Sequence, residues 1–400
     1  MSMRRALRSE RGFGVFWLGF SATVLGDAIT RTTLIWYVFE ATGSPVSLGW
    51  LSFCFTAPVI VGGMTAGWLL DRYDRRTIMA IDSLAKSLLV ISVPVLAAMD
   101  LMPLWYVFVV ASVFGFLMMI PLAGVPSLLP ALVDGDDLNA ANALETVGYT
   151  AGGVLGPPLA GVLIAQIGPL EALYFDAATY LIFAWAVWRC RPRAEARRPE
   201  IGDTTSLLAA ARLIARNPVL ASTTLMYLVF NVGLGALLVV VPVFADTVLG
   251  GGPELYGLLL GSIAIGELAS AVAIGSVRLP IPEGLAICLT MFLSGLAVGA
   301  AALSPNAAGA AIALALYGAF SAPLTIWGQT LRMKIIPPGF HGRCFAIMRT
   351  LMQSGGPLGG VSAGFSVPVL GVRAAIAGIA LITCAVGGLG LTIAKLRRAR

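Results

Sequence analysis

The chain has 400 residues, 58% hydrophobic and only 12% charged, with a formal net charge of +6 and a mean hydropathy of +0.90. Soluble domains carry about 25% charged residues, so a water-soluble fold is excluded, whereas a bilayer can solvate this much apolar surface. The positive excess reads as a topology signal and an anchor to anionic headgroups, not as a nucleic-acid interface.

Apolar runs of about 20 residues, enough to cross the hydrocarbon core as helices, recur along the whole chain. They lack the alternation of spanning strands. Spans 1 to 6 are predicted over 13–39, 46–70, 77–98, 103–130, 143–167 and 170–189. Spans 7 to 12 are predicted over 218–245, 256–277, 284–304, 307–334, 345–368 and 371–394. The expected class is an all-α membrane protein of twelve transmembrane helices in two pseudo-symmetric six-helix bundles. Residues 1–189 form the first bundle, 190–217 a linker and 218–400 the second bundle.

Twelve spans put both termini on one side, and arginine placement says which. One set of span ends carries Arg4, Arg5, Arg8, Arg11, Arg72, Arg75, Arg76, the run from Arg189 to Arg198, and the basic tail from Lys395 to Arg400. The opposite loops hold only Arg373, beside Glu40, Asp100, Glu171, Asp246 and Glu254. The basic side is therefore expected to be cytoplasmic, in the cell membrane. Span 1 is too long for a cleavable signal and carries Asp27 and Arg31. The five cysteines (Cys54, Cys190, Cys288, Cys344, Cys384) and the lone His341 have no metal or disulfide spacing, so neither a metal nor another cofactor is expected.

The linker begins "RCRPRAEARRPE" and continues into "DTTSLLAAARLIARNP". Asp203 or Thr204 would cap a short amphipathic helix bearing Leu207, Leu208, Ala211 and Ile214, lying on the inner membrane surface or serving as a tether. The halves echo each other. "GGVLGPPLAG" in span 5 and "QSGGPLGGVSAG" in span 11 place Gly156-Pro157 and Gly356-Pro357 two hundred residues apart. Two halves related by a parallel repeat suit a carrier that rocks about a site between them.

One stretch, "GWLLDRYDRR", concentrates charge between spans 2 and 3. It resembles the loop 2–3 signature of the major facilitator superfamily at Gly67, Asp71, Arg72, Arg75 and Arg76, with Asp74 where a second glycine is usual. "GFSATVLGDAITRTTLIWYVFEATGSPVSLGWL" and "YFDAATYLIFA" are similar to a drug and siderophore exporter subgroup that includes macrolide efflux pumps and enterobactin exporters. Gly152, Gly156, Pro157 and Gly161 fit most of the span 5 antiporter signature, with Ala160 at a usual glycine. Span 4 lacks the arginine of many proton-coupled antiporters, and loop 8–9 lacks the repeated signature.

The resemblance implies a monomeric carrier of small molecules whose spans 1, 4, 7 and 10 line a cavity. Thr23, Met118, Met119, Tyr227, Asn231, Trp327 and Gln329 are its expected lining, with lipid-facing packing as the alternative. Asp71 is expected to gate against Arg343, with Glu145 and Arg278 as a reversed pair; solvated loop charges are the alternative for Arg72, Arg75 and Arg76. Gly156, Pro157, Gly356 and Pro357 are hinge candidates, or sites of tight packing.

Ionisable residues deep in a span are functional candidates. Glu267 in span 8 has no charged helical neighbour and is the first candidate proton carrier; the alternative is a neutral acid hydrogen-bonded to a neighbouring helix. Asp27 in span 1 is the second, with Arg31 one turn on as a possible structural counter-ion and substrate contact. Arg349 is a candidate for an anionic substrate group or simply the partner of an acid; Asp176 and the Asp82–Lys86 pair read as structural. No phosphate-binding Gly-x-x-x-x-Gly-Lys loop is present, so an ion gradient or the substrate's own gradient is expected to supply the energy. A proton-coupled exporter of amphipathic molecules leads. A lipid flippase and a non-transporting receptor are the rivals, and an enzyme is not expected.

Overall fold

The computed structural model describes residues 6–134, 137–193, 207–276, 281–337 and 340–399; these are helical, with no strand among them. The first half comprises span 1 (Phe13–Thr42), span 2 (Pro45–Arg72), span 3 (Arg75–Ala98), span 4 (Leu104–Leu132), span 5 (Leu138–Ile167) and span 6 (Pro169–Arg189). A short connecting helix, Leu207–Arg216, precedes span 7 (Pro218–Val243), which continues as a π-helical turn to Val248. Span 8 (Gly252–Ser276), span 9 (Glu283–Leu303), span 10 (Ala307–Ile335) and span 12 (Val372–Thr392) follow in the predicted places.

Eleven described helices are long and apolar enough to cross a membrane alone. The other predicted crossing, span 11, comes as two helices, His341–Gln353 and Gly355–Leu370, as do span 2 (Pro45–Thr56 and Pro58–Arg72) and span 4 (Leu104–Leu117 and Met119–Leu132). Proline explains the break. Pro357 has no N–H to give the Gln353 carbonyl, as Pro58 has none for Cys54 and Pro121 none for Leu117. The three joints fall at Ser354, Ala57 and Met118, and all keep right-handed helical dihedrals. Each joint is thus a missing rung rather than a turn. Pro157 and Pro158 sit inside an unbroken span 5, so the two Gly-Pro motifs differ in local structure.

The repeat also appears in the backbone. Gly168 joins spans 5 and 6 with φ 97° and ψ 159°; Gly371 joins spans 11 and 12 with φ 83° and ψ 157°. Only glycine takes this region readily, so each connection is a single residue long.

The chain divides into two compact units. The first holds Met1–Gly43, Cys54–Arg198 and Gly252–Gly261; the second holds Ser44–Phe53, Pro199–Gly251 and Ser262–Arg400. In the first unit Phe16, Phe20 and Phe183 pack with Leu128, Leu132 and Val187 in one apolar core. The arginine-rich end of that unit is sewn together by main-chain and ionic contacts. Arg191 N–H donates to the Arg11 carbonyl and Arg193 N–H to that of Ala131, both at 3.0 Å. The Asp134 carboxylate accepts from Arg11 at 3.1 Å and from Arg193 at 2.7 Å.

The charged stretch between spans 2 and 3 has a local explanation. Tyr73 is extended, and Asp74 caps span 3 by accepting from the Thr77 N–H at 2.8 Å; a carboxylate cap takes the place of the usual glycine. Arg75 donates to the Ser127 carbonyl at 3.0 Å. Arg76 donates to the Val187 carbonyl at 3.1 Å and also to that of Trp188, both in the last turn of span 6. Arg75 and Arg76 are therefore helix-end staples rather than freely solvated loop charges.

In the second unit spans 7 and 11 meet backbone to backbone. A Cβ on Gly359 would lie 1.8 Å from the Val232 carbonyl oxygen, and one on Gly235 would lie 2.0 Å from that of Gly356. The connecting helix does not simply float on a membrane surface. Ala210 and Ile214 are buried against Leu220, Cys344 and Met348, while Leu208 is exposed. Protein already covers part of its apolar face. The proposed caps Asp203 and Thr204 lie outside the described residues.

The Arg11 hydrogen bond beside Asp134, helped by Arg193, holds that carboxyl below its usual range. Its stabilising contribution is complete at neutral pH and is lost as pH falls from about 4 through the lowered native value. Asp134→Asn is expected to lower the melting temperature of the solubilised protein at pH 7. The wild-type and variant curves are expected to converge in acid, which a melting series against pH measures.

Candidate functional site

Two groups of ionisable side chains are built inside the spans, one per unit. In the first unit spans 1, 3 and 6 converge. Asp27, half-buried on span 1, accepts a hydrogen bond from the Tyr180 hydroxyl of span 6. One turn before Tyr180, Asp176 is fully buried; it accepts from Thr30 at 2.5 Å and from Thr179 at 3.0 Å. Span 3 supplies Lys86, which pairs with Asp82 at 2.9 Å; the two side chains are 2% and 3% exposed. The Lys86 ammonium lies 5.8 Å from the centre of the Tyr180 ring. It is within electrostatic reach of Asp27 and Asp176 as well.

The close approach of Asp176 to span 1 needs Gly26. A Cβ there would lie 2.0 Å from Asp176 Oδ1 and 2.4 Å from Thr179 Oγ1. The carboxylate occupies the space a side chain at position 26 would fill.

In the second unit Glu267 is half-buried and accepts from the Ser321 hydroxyl of span 10 at 3.0 Å. Gly266 and Gly318 make the approach possible. A Cβ on Gly266 would lie 1.8 Å from the Ala315 oxygen, and one on Gly318 would lie 1.9 Å from that of Ile263. Nearby on span 7, the Tyr227 hydroxyl shares a 2.5 Å hydrogen bond with Thr325, and Asn231 donates to the Tyr227 carbonyl at 2.9 Å. The buried guanidinium of Arg332 stacks 5.1 Å from the Tyr227 ring and donates to the Thr223 carbonyl at 3.2 Å. No carboxylate pairs with it among the described residues, and its Nε has no partner.

The remaining predicted residues fall into distinct settings. Arg31 does not pair with Asp27 among the described residues; it lies near Tyr256, and its Nε is buried without a partner. Thr23 is buried and donates to the Thr179 carbonyl at 3.3 Å, so its hydroxyl is committed to packing. Met119 belongs to the apolar core of the first unit, against Gly63, and is not a lining residue. Met118 is the joint in span 4. Trp327 is half-buried; Gln329 and Arg349 are exposed.

Among the gate residues, Asp71 and Arg72 are exposed, with Arg72 over the Trp68 ring at 5.6 Å. A Cβ on Gly67 would meet nothing within 4 Å, so no close contact requires that glycine here. Arg343 is half-buried at the start of span 11, and Arg278 lies outside the described residues. Glu145 is half-buried at the start of span 5, one turn before Tyr149, which is within electrostatic reach of both Glu145 and Asp27.

The hinge glycines are close-contact positions. Cβ atoms on Gly152 and Gly156 would lie 2.6 Å from Val24 Cγ1 and 2.4 Å from Ala28 Cβ, and one on Gly161 would lie 2.6 Å from the Pro253 oxygen. The Pro157 carbonyl would sit 2.3 Å from a Cβ on Gly257, in the part of span 8 that belongs to the first unit. Gly356 and Pro357 are buried on span 11.

Sequence reasoning passed over Arg332 because it stands near a span end, where arginine ordinarily marks topology. It also missed the neutral partners Tyr180 and Ser321. The i,i+4 spacing of Asp176 and Tyr180 was the available signal for the first of these.

Gly26→Ala is expected to destabilise the protein by about 1–3 kcal/mol through overpacking against Asp176. Gly67→Ala is expected to be neutral or to stabilise by up to about 1 kcal/mol through helix propensity. Thermal unfolding of the two solubilised variants side by side measures the contrast.

The model for the Major Facilitator Superfamily matches residues 16–360. The chain is 23% identical over 384 residues to the multidrug efflux pump Tap of Mycolicibacterium fortuitum, covering 93% of each chain. It is 26% identical over 338 residues to the enterobactin exporter EntS of Salmonella choleraesuis, covering 84% of this chain and 78% of that one. The crystal structure of a point mutant of the nucleoside transporter NupG superposes with a TM-score of 0.77 at 14% identity, covering 96% of this chain and all of that one. A family match across most of the chain, joined to apolar helical spans with carboxylates buried inside them, makes this protein a multi-pass membrane transporter of the Major Facilitator Superfamily.

Proposed function

We propose that the chain is a proton-coupled exporter of an amphipathic small molecule, a drug or a siderophore, working by alternating access. One observation carries the reading. Asp27 and Glu267, the carboxyls deep in spans 1 and 8, are each held by a neutral hydroxyl, from Tyr180 and Ser321, and not by a cation. A carboxyl held this way can gain or lose a proton without breaking an ion pair. The efflux pump and the enterobactin exporter among the relatives support the direction of transport and the class of cargo.

In this reading Glu267 and Asp27 carry the proton. Tyr227, Asn231 and Trp327 offer an aromatic and amide surface to the cargo, and Arg332 replaces Arg349 as the contact for an anionic or strongly polar cargo group. Asp71 and Arg343 act at the inner gate, and the Gly-Pro motifs of spans 5 and 11 are where the helices bend. The transporter works as a monomer in the cytoplasmic membrane with both termini inside. Residues 1–189 and 218–400 are its two moving bundles, joined by 190–217.

The test is reconstitution in liposomes with an internal pH dye, adding iron-free enterobactin or ethidium to wild type, Glu267→Gln and Asp27→Asn. Probe-evoked proton movement in wild type is expected to fall at least about tenfold in each variant, a loss within the reach of a positioned acid–base group. Probe movement without proton flux, or full coupling in both variants, would remove proton antiport and bring a lipid flippase or uniporter forward.

A further inference from the structure

The first unit places more carboxyl groups than cations inside its spans. Among the described residues, Asp27, Asp82 and Asp176 come together with a single cation, Lys86. Lys86 pairs directly only with Asp82, whose other oxygen, Oδ1, is buried with no hydrogen-bond partner. The remaining partners of Asp27 and Asp176 are the hydroxyls of Tyr180, Thr30 and Thr179. Three ionised carboxylates would leave two negative charges in excess in an apolar setting, which electrostatics strongly disfavours. Lys86 joins the three, paired with Asp82 and 5.8 Å from the ring of Tyr180, whose hydroxyl holds Asp27 one turn from Asp176; carboxyls coupled through one cation share protons as a unit.

The other titratable groups facing the cluster add no cation to it among the described residues. Span 5 brings Tyr149 and, one turn before it, Glu145. Span 6 brings Tyr180, which is neutral. On span 1, Arg31 lies with Tyr256 and makes no ion pair with Asp27 among the described residues.

We propose that Asp27, Asp82, Asp176 and Lys86 form one proton-binding unit, with Asp27 as the group that takes up and releases the proton. Asp27 is the half-buried member, whereas Asp82, Asp176 and Lys86 are sealed. Lys86 is the fixed positive charge that permits one carboxylate to stay ionised, and Asp82 is its resident partner. Asp176 holds the second proton, donating it to the Thr30 hydroxyl while still accepting from Thr179. Glu145 and Tyr149 mark the approach from the arginine-rich end of span 5. What the proton drives rests on the export reading; the binding of the proton does not.

The test is infrared difference spectroscopy of the purified full-length protein in lipid nanodiscs, titrated with pH and with no cargo present. The readout is the high-frequency carbonyl band of carboxylic acids shielded from water. In a Glu267→Gln background the band is expected to persist, and adding Asp27→Asn is expected to abolish its pH-dependent part. Lys86→Met removes the cluster's cation and is expected to move the midpoint alkaline by about one pH unit or more. Asp82→Asn removes one competing negative charge and moves the midpoint acid by a similar amount, and the double variant returns it towards wild type. Lys86→Arg keeps the wild-type midpoint.

A band unchanged by Asp27→Asn overturns the proposal, as do midpoints that do not shift in opposite directions in Lys86→Met and Asp82→Asn. If Lys86→Met does not fold, the acid shift of Asp82→Asn and the Asp27→Asn loss decide the question. A titrating cluster in a protein that moves neither probe in liposomes leaves this site standing and overturns the export reading. Coupled transport with no titrating cluster does the reverse.

Discussion

Inside a bilayer no water is available to a polar group, so every hydrogen bond must be found within the chain. The consequences run through the whole molecule. The backbone meets the constraint with helices, and the helices pack tightly wherever glycine lets carbonyls and neighbouring backbone touch. Where proline removes a rung at Ala57, Met118 and Ser354, the chain keeps helical dihedrals instead of opening a turn. Several charged side chains obey the same rule, although Arg31 Nε, Arg332 Nε and Asp82 Oδ1 are left without a partner. Lys86 finds Asp82, Asp27 finds Tyr180, Glu267 finds Ser321, and Arg75 and Arg76 find carbonyls on spans 4 and 6.

The two halves share a plan but not its details. Single glycines with nearly the same dihedrals join spans 5 and 6 and spans 11 and 12. Yet the Gly-Pro motif leaves span 5 continuous and splits span 11. The buried ionisable groups diverge further. The first unit gathers three carboxyls around one lysine, whereas the second holds one carboxyl beside a hydroxyl and, among the described residues, a guanidinium beside a tyrosine with no carboxylate partner. The repeat thus keeps its connections while its buried ionisable groups differ.

The spans were legible because the bilayer demands long apolar runs, and such runs are visible one residue at a time. The break in span 11 was written in Pro357, but a motif that reads as a hinge does not announce a missing rung. Asp27 and Glu267 stood out as charges in apolar surroundings. Their partners did not, because Tyr180 and Ser321 lie far off in sequence and meet them only through helix packing. Asp82 and Lys86 were legible as a pair from their spacing, but their company with Asp176 and Asp27 depends on how spans 1, 3 and 6 approach. Arg332 was hidden by position, since an arginine near a span end looks like every other topology marker. Met119 and Thr23 show the opposite error: a residue type suited to a cavity is equally suited to a core.

Gly26 and Asp176 occupy one volume between them, since the carboxylate stands where a methyl group at position 26 would be. Neither position is free to drift alone. Among descendants of this sequence the two should vary as a correlated pair, with any larger residue at 26 accompanied by a smaller or apolar one at 176. A lineage that loses the glycine would thereby lose a buried acid, so a steric contact between two helices also governs how many titratable groups the first half can retain.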